Sequence, residues 1–168
     1  VLIPREDYEI VDNWYVYGLK GTGSKRIVVE EAFVPEYRIH KLMDAHSTIS
    51  PGNKVNNGPL YKLPFGQVFT YSVTIPALGA YKGAFEAWLK YGKTRVSSFG
   101  VEAKTDPSTQ KLAAETSTEI DEMWNSINNN FERMMNSVIN NENLEINDRV
   151  QYRYQASAIV DRCVQGTA

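Results

Sequence analysis

Residues 105–139, TDPSTQKLAAETSTEIDEMWNSINNNFERMMNSVI, carry the pattern that decides how the rest of the 168-residue chain is read. Leu112, Thr116, Ile120, Met123, Ile127, Phe131, Met134 and Val138 follow one another at spacings of 4, 4, 3, 4, 4, 3 and 4. That spacing places them on one stripe of an α-helix for about four heptads. Asp106 is the expected N-cap, and Pro107, which has no N–H to satisfy, suits the first helical position. A stripe this long implies packing against other long helices in an antiparallel bundle.

Helical signals extend to both sides. Upstream, a helix is expected from about Gln67 to Ser97, with Leu78, Tyr81, Phe85, Trp88 and Leu89 on one face, Gly79 and Gly83 on another, and a kink at Pro76. Downstream, a third helix is expected from about Asn147 or Asp148, turning Val150, Tyr154, Ser157, Val160 and Val164 inward. Antiparallel bundles of long helices usually close with four, so a partner helix is expected outside the chain.

The first 38 residues read differently. YEIV, WYVY and RIVVEEAFV are strand-like runs separated by turn residues. Between the last two lies GLKGTGSK, Gly18–Lys25, one transposition away from a phosphate-binding loop. That loop needs a helix to begin directly after it, and the residues that follow are strand formers closed by Pro35. The stretch therefore reads as a glycine-bearing turn joining two strands, with Gly21 and Gly23 free to adopt positive φ. Residues 39–66 are rich in Pro, Gly and Asn and read as a long irregular connection. The expected organisation is a β segment over 1–38, a connection over 39–66 and a helical domain over 67–168.

Bulk properties narrow the function. A net charge of −2 gives no field to recruit nucleic acid or an anionic membrane, and no apolar run approaches the ~20 residues of a membrane span. A single cysteine, Cys163, precludes an internal disulfide and a cysteine-built zinc site, and suits a reducing cytoplasm. It reads as a small buried apolar residue. His40 and His46, the only histidines, fall in or beside the connection and show no metal-ligand spacing with acidic residues. Strand-like sequence begins almost at Val1 with no secretory signal pattern, so the chain is expected to begin inside a larger domain.

Several separated motifs occur in one order: Trp14 with GLKGTGSK, FVPEYR at 33–38, ALGA at 77–80, TRVSSFG at 94–100 and TQKLAAETSTEID at 109–121. In this the chain resembles the acyl-CoA dehydrogenase fold, and within it the two-component, reduced-flavin-dependent monooxygenases of the 4-hydroxyphenylacetate 3-hydroxylase oxygenase type. The resemblance covers nearly the whole chain. It implies an α+β protein with the end of a β-barrel-like middle domain followed by three helices of a C-terminal four-helix bundle, in a homotetramer.

The resemblance also implies chemistry. A separate flavin reductase supplies reduced FMN or FAD, and the oxygenase hydroxylates a small phenolic or other aromatic substrate with O2 through a flavin C4a-hydroperoxide. An arginine at the end of the first bundle helix is implied to hold the flavin phosphate region across a subunit interface. Arg95 matches it, within RVSSFG, whose spacing is one residue longer than the dehydrogenase form. Ser97, Ser98, Phe99 and Gln110 are further implied cofactor contacts. Phe65, Phe69, Tyr71 and Ser72, in LYKLPFGQVFTYS, match the stretch that lines the substrate pocket. Phe69 stands where one dehydrogenase subgroup carries a catalytic glutamate, and no catalytic residue is identified. Two other readings stay open: an acyl-CoA dehydrogenase or related oxidase of the same fold, and a non-catalytic helical assembly module, with which the Asn-rich NSINNN and NSVINNENLEIND are compatible.

Overall fold

The computed structural model describes residues 1–167 and divides into two compact units, Val1–Asp44 and Ala45–Ala168.

In the first unit, strand β1 (Glu9–Val11) pairs antiparallel with β2 (Arg26–Val28), Ile10 opposite Ile27. The expected hairpin is thus corrected. WYVY is not a strand; YEIV is the partner of RIVV, and the sequence between them is one long loop. Side chains explain the outcome. Trp14 donates its indole N–H to the Leu19 carbonyl at 2.9 Å and to Thr22 Oγ1 at 3.1 Å, folding the aromatic run back onto the glycine turn. Lys25 pairs with Asp12, and the Arg26 N–H donates to Asn13 Oδ1 at 3.1 Å, so the loop is closed at its base, beside the strands. Gly18 and Gly23 take positive φ (94° and 62°), Gly21 does not, and a single 3-10 turn, Lys20–Thr22, lies between them.

Three long helices build the second unit, after the short helix α1 (Leu42–His46), which spans the division: α2 (Phe65–Gly92), α3 (Pro107–Ile139) and α4 (Ile146–Thr167). Helix α2 begins two residues before the expected Gln67 and continues as one helix through Pro76. It stops well short of Ser97, because the chain folds into a tight turn after Gly92. Helix α3 begins as its sequence demands: Asp106 Oδ2 accepts from the Thr109 N–H at 2.7 Å and from Thr109 Oγ1 at 2.8 Å. It ends on Asn141 at φ 57°, with Asn141 N–H donating to the Val138 carbonyl and Glu142 N–H to the Ser137 carbonyl. This doubled closure satisfies carbonyls that a helix end otherwise leaves unpaired.

The helices run up, down and up, as the cross-links require. Tyr71 donates to the Tyr152 carbonyl and Thr74 to the Ala156 carbonyl, both at 3.2 Å, tying α2 to α4 in parallel. Tyr81 donates to Glu119 Oε2 at 3.1 Å, and Arg162 Nε donates to Glu119 Oε1 at 2.9 Å, so one carboxylate of α3 receives both neighbours. The core is Leu63, Tyr71, Leu78, Tyr81, Ile120, Met123, Ile127, Met134, Val138, Tyr152, Ala156, Ile159 and Cys163. Burial first, and then the Glu119 carboxylate, hold the Cys163 thiol above its usual pKa, as expected of an inert core cysteine.

Two expectations about the core are corrected. On α4, Val150, Tyr154 and Val164 are exposed, and the interior is formed by Tyr152, Ala156, Ile159 and Cys163. Both stripes are apolar at helical spacing, and only the positions of α2 and α3 choose between them. On α3, the stripe shifts by one residue near its centre: Asn130, within NSINNN, is 2% exposed, while Phe131 is only partly buried and Leu112 is 52% exposed. Asn130 Nδ2 donates to Tyr71 Oη at 2.8 Å and to Gln155 Oε1 at 2.7 Å, joining all three helices in one buried polar network. Such a group is tolerated in a core only when paired.

Candidate functional site

Arg95 lies just past the end of α2, in a turn that fixes its backbone at both ends. Its N–H donates to the Tyr91 carbonyl at 3.1 Å, and its carbonyl accepts from the Ala103 N–H at 3.0 Å. A narrow hairpin follows: Val96 bridges Glu102, Ser97 N–H donates to the Val101 carbonyl at 2.8 Å, and Gly100 N–H donates to the Ser97 carbonyl at 3.0 Å. Gly100 has φ 79°, which suits glycine at the closing position of this turn. The guanidinium of Arg95 lies 5.7 Å from the centre of the Tyr91 ring, within cation–π range.

Arg95 and Ser97 line a cleft of about 260 Å³ with Trp88, Tyr91, Asp106 and Thr109. Its chemistry is unequal. Asp106 is spent on the α3 N-terminus, its carboxyl held below the usual range first by the Thr109 backbone N–H and then by the Thr109 hydroxyl. Arg95 forms no ion pair among the described residues, so its fork of donors remains available to an outside anion. The Ser97 hydroxyl oxygen accepts from the Val101 N–H at 3.0 Å and keeps its proton to donate.

The other implied cofactor contacts are not gathered into this cleft. Ser98 and Phe99 form the tip of the hairpin, Phe99 being 93% exposed. Gln110 donates its amide to the Lys104 carbonyl at 2.9 Å and so braces the loop that enters α3. The sequence reading places Trp88 on an apolar helix face and Asp106 as an N-cap, and none of Trp88, Tyr91, Asp106 and Thr109 as a site residue; the signal is present, since positions 88, 91 and 95 recur at helical spacing toward Arg95.

At the opposite end of α2, three of the four implied pocket residues share a face. Phe65 and Phe69 stack with ring centres 5.3 Å apart and planes at 25°, both partly exposed, and Ser72 follows one turn later with its hydroxyl donating to the Phe69 carbonyl at 2.7 Å. Tyr71 is not with them. It is 1% exposed, packs 4.9 Å from the Phe131 ring and belongs to the buried Asn130 network. Burial, opposed by the Asn130 hydrogen bond, raises the Tyr71 phenol above its ordinary pKa. No helix of the described residues is long and apolar enough to cross a membrane.

Comparison with known proteins places this geometry in context. Residues 71–168 match the family model described as acyl-CoA dehydrogenase, C-terminal domain. The chain is 39% identical over 128 residues to the flavin-dependent monooxygenase, oxygenase subunit HsaA, of Rhodococcus jostii (strain RHA1), covering 75% of this chain and 34% of that protein. It is 34% identical over 99 residues to the p-hydroxyphenylacetate 3-hydroxylase oxygenase component of Acinetobacter baumannii, covering 58% of this chain and 24% of that one. Among solved structures, the HsaA monooxygenase of M. tuberculosis superposes with a TM-score of 0.86 at 30% identity over 98% of this chain and 43% of its own. The chain therefore spans about a quarter to a third of the length of the curated relatives it matches.

Proposed function

The chain belongs to the acyl-CoA dehydrogenase family, and from that premise we propose that it forms the C-terminal part of the oxygenase component of a two-component flavin-dependent monooxygenase acting on a phenolic or other aromatic substrate. In this reading α2–α4 are three helices of a four-helix bundle and the first unit is the end of a β-barrel-like middle domain. A separate flavin reductase, O2 and a cytoplasmic setting complete the system. Curated relatives that are oxygenase components of this kind support the reading.

The observation that carries the cofactor assignment is Arg95, an uncommitted guanidinium on a rigid turn at the mouth of a cleft. A phosphate oxygen pair fits that fork, and Ser97 adds a neutral donor. When bound, reduced flavin supplies the oxygen activation and transfer that no side chain here can perform. The chain's own residues bind and orient. Arg95 holds the charged tail, while Phe65 and Phe69 offer stacked apolar surface that a planar ring can extend and that keeps water from it.

From Phe69 to Gly92, the last residue of α2, the helix advances 23 residues, roughly 35 Å at 1.5 Å per residue, so the Phe65–Phe69 face and the Arg95 turn lie at opposite ends of a long rod. In this reading one chain's Arg95 and Phe69 serve different cofactor molecules. A homo-oligomer, with Arg95 reaching a flavin seated on a neighbouring copy, meets that constraint.

Titration of the full chain with reduced FMN and FAD under anaerobic conditions tests the reading. Arg95→Gln is expected to weaken flavin binding at least tenfold with little change for riboflavin, which lacks the phosphate. Equal loss for riboflavin, or no loss for any flavin, sinks the assignment of Arg95 to the anionic tail.

A further inference from the structure

A second polar cleft, of about 270 Å³, lies between the start of α2 and the turn joining α3 to α4. We propose that it binds a small tetrahedral oxyanion of the phosphate class, independently of the Arg95 cleft, with Arg149 as the principal ligand and Lys62 as the second cation.

Arg149 carries the argument. Its Nε–H is buried with no hydrogen-bond partner, and among the described residues its guanidinium joins no ion pair. Buried charged donors are costly to leave unpaired, and native structures pair nearly all of them. Lys62 lines the same cleft and likewise forms no ion pair among the described residues. Glu142 is the single carboxylate in the lining, and it neutralises neither cation by direct contact.

The walls are built tightly. A Cβ on Gly66 would fall 2.5 Å from His46 Cε1 and 2.6 Å from Nδ1, so the imidazole lies directly against glycine backbone, with its ring edge-on to Phe65 at 6.0 Å. Thr48, also in the lining, has φ 56°, a left-handed conformation that a β-branched residue rarely adopts. Pro64 lines the cleft as N-cap of α2 without a side-chain cap, and the first turn of α2 contains no acidic residue. The positive end of a 28-residue helix thus lacks a capping carboxylate. The Thr48 hydroxyl is spent on the Ser47 carbonyl at 2.7 Å, and a fork-shaped donor, a second cation and the Ser47 hydroxyl suit an anion with several acceptor oxygens better than a planar carboxylate.

The experiment is isothermal titration with inorganic phosphate at constant ionic strength, in the full chain carrying Arg95→Gln so that the other cleft contributes nothing. Saturable one-to-one binding is expected. Adding Arg149→Gln should weaken it at least tenfold, Lys62→Gln several-fold, and Glu142→Gln should tighten it. Arg149→Lys keeps the charge but loses the fork and Nε, and should fall between wild type and Arg149→Gln; it guards against misfolding of the neutral variant, checked by circular dichroism. A phenyl phosphate arm distinguishes a bound ester, which then binds as well as phosphate, from free phosphate, which then binds better. Heat without saturation, equal affinity in both Arg149 variants and the parent, or acetate binding as tightly as phosphate overturns the proposal.

Discussion

Replacing Asn130 by alanine removes a fully buried side chain that ties all three long helices together. Asn130 Nδ2 loses its bonds to Tyr71 Oη and Gln155 Oε1, each worth about 1 kcal/mol net. Tyr71 keeps its own donation to the Tyr152 carbonyl, so the alanine variant takes a donor from two acceptors, the buried Tyr71 Oη and the part-buried Gln155 Oε1, and leaves no donor unpaired. The amide also leaves a void at a site 2% exposed, and the combined loss is expected at about 2–4 kcal/mol. With a urea slope of about 2 kcal/mol/M, the unfolding midpoint falls by about 1–2 M. Asn128 and Asn129 are exposed neighbours on the same helix, so Asn128→Ala and Asn129→Ala should leave the stability within about 0.5 kcal/mol of the parent or raise it slightly through better helix propensity. Urea titrations followed at 222 nm make the comparison. Tyr71→Phe combined with Asn130→Ala should cost less than the two single losses together, because they share a bond. If Asn130→Ala unfolds at the same urea concentration as Asn129→Ala, the buried network contributes nothing and the reasoning fails.

Three further outcomes follow from particular contacts. Gly166→Ala would place a Cβ 2.3 Å from Tyr81 Oη and 2.4 Å from Cζ, on a ring that is 4% exposed and held by Glu119; calorimetry should show a loss of about 1–3 kcal/mol, whereas an unchanged Tm would mean that the ring moves freely. The depressed pKa of Asp106 means that its contribution is fully present above the unfolded value near 3.8 and is lost as pH falls through the lower folded value. Asn at position 106 caps without titrating, so thermal melts of Asp106→Asn should be flatter with pH in that acid window, and parallel curves for the two proteins would contradict the cap. In the opposite direction, Tyr71, Tyr81 and Tyr152 all have raised pKa values, burial being the leading cause. Their contribution is complete below about pH 10 and is lost as pH rises through the folded values, so tyrosinate absorbance at 295 nm should show a late fraction that ionises only with alkaline unfolding; a single early titration of every tyrosine would refute it.

What the sequence determined alone is what depends on neighbours along the chain. The Asp106–Pro107 start of α3, its long apolar stripe and the three-helix order need only capping chemistry and 3.6-residue periodicity, both local. The recurrence of separated motifs made the family legible too, together with Arg95 as a cofactor candidate. Tertiary structure decided every choice between equivalent local options. Helix α4 has two apolar faces, and contact with α2 selected Tyr152 and Ala156 over Val150 and Tyr154. Asn130 reads as one of several surface asparagines until Tyr71 and Gln155 arrive from other helices to satisfy its amide. YEIV won over WYVY as the partner of RIVV because Trp14 found hydrogen bonds inside the loop. Tyr71 parted from Phe65, Phe69 and Ser72 because a helix turns neighbouring residues to different sides, and the Arg149 cleft joins residues about a hundred positions apart, which no pattern along the chain encodes.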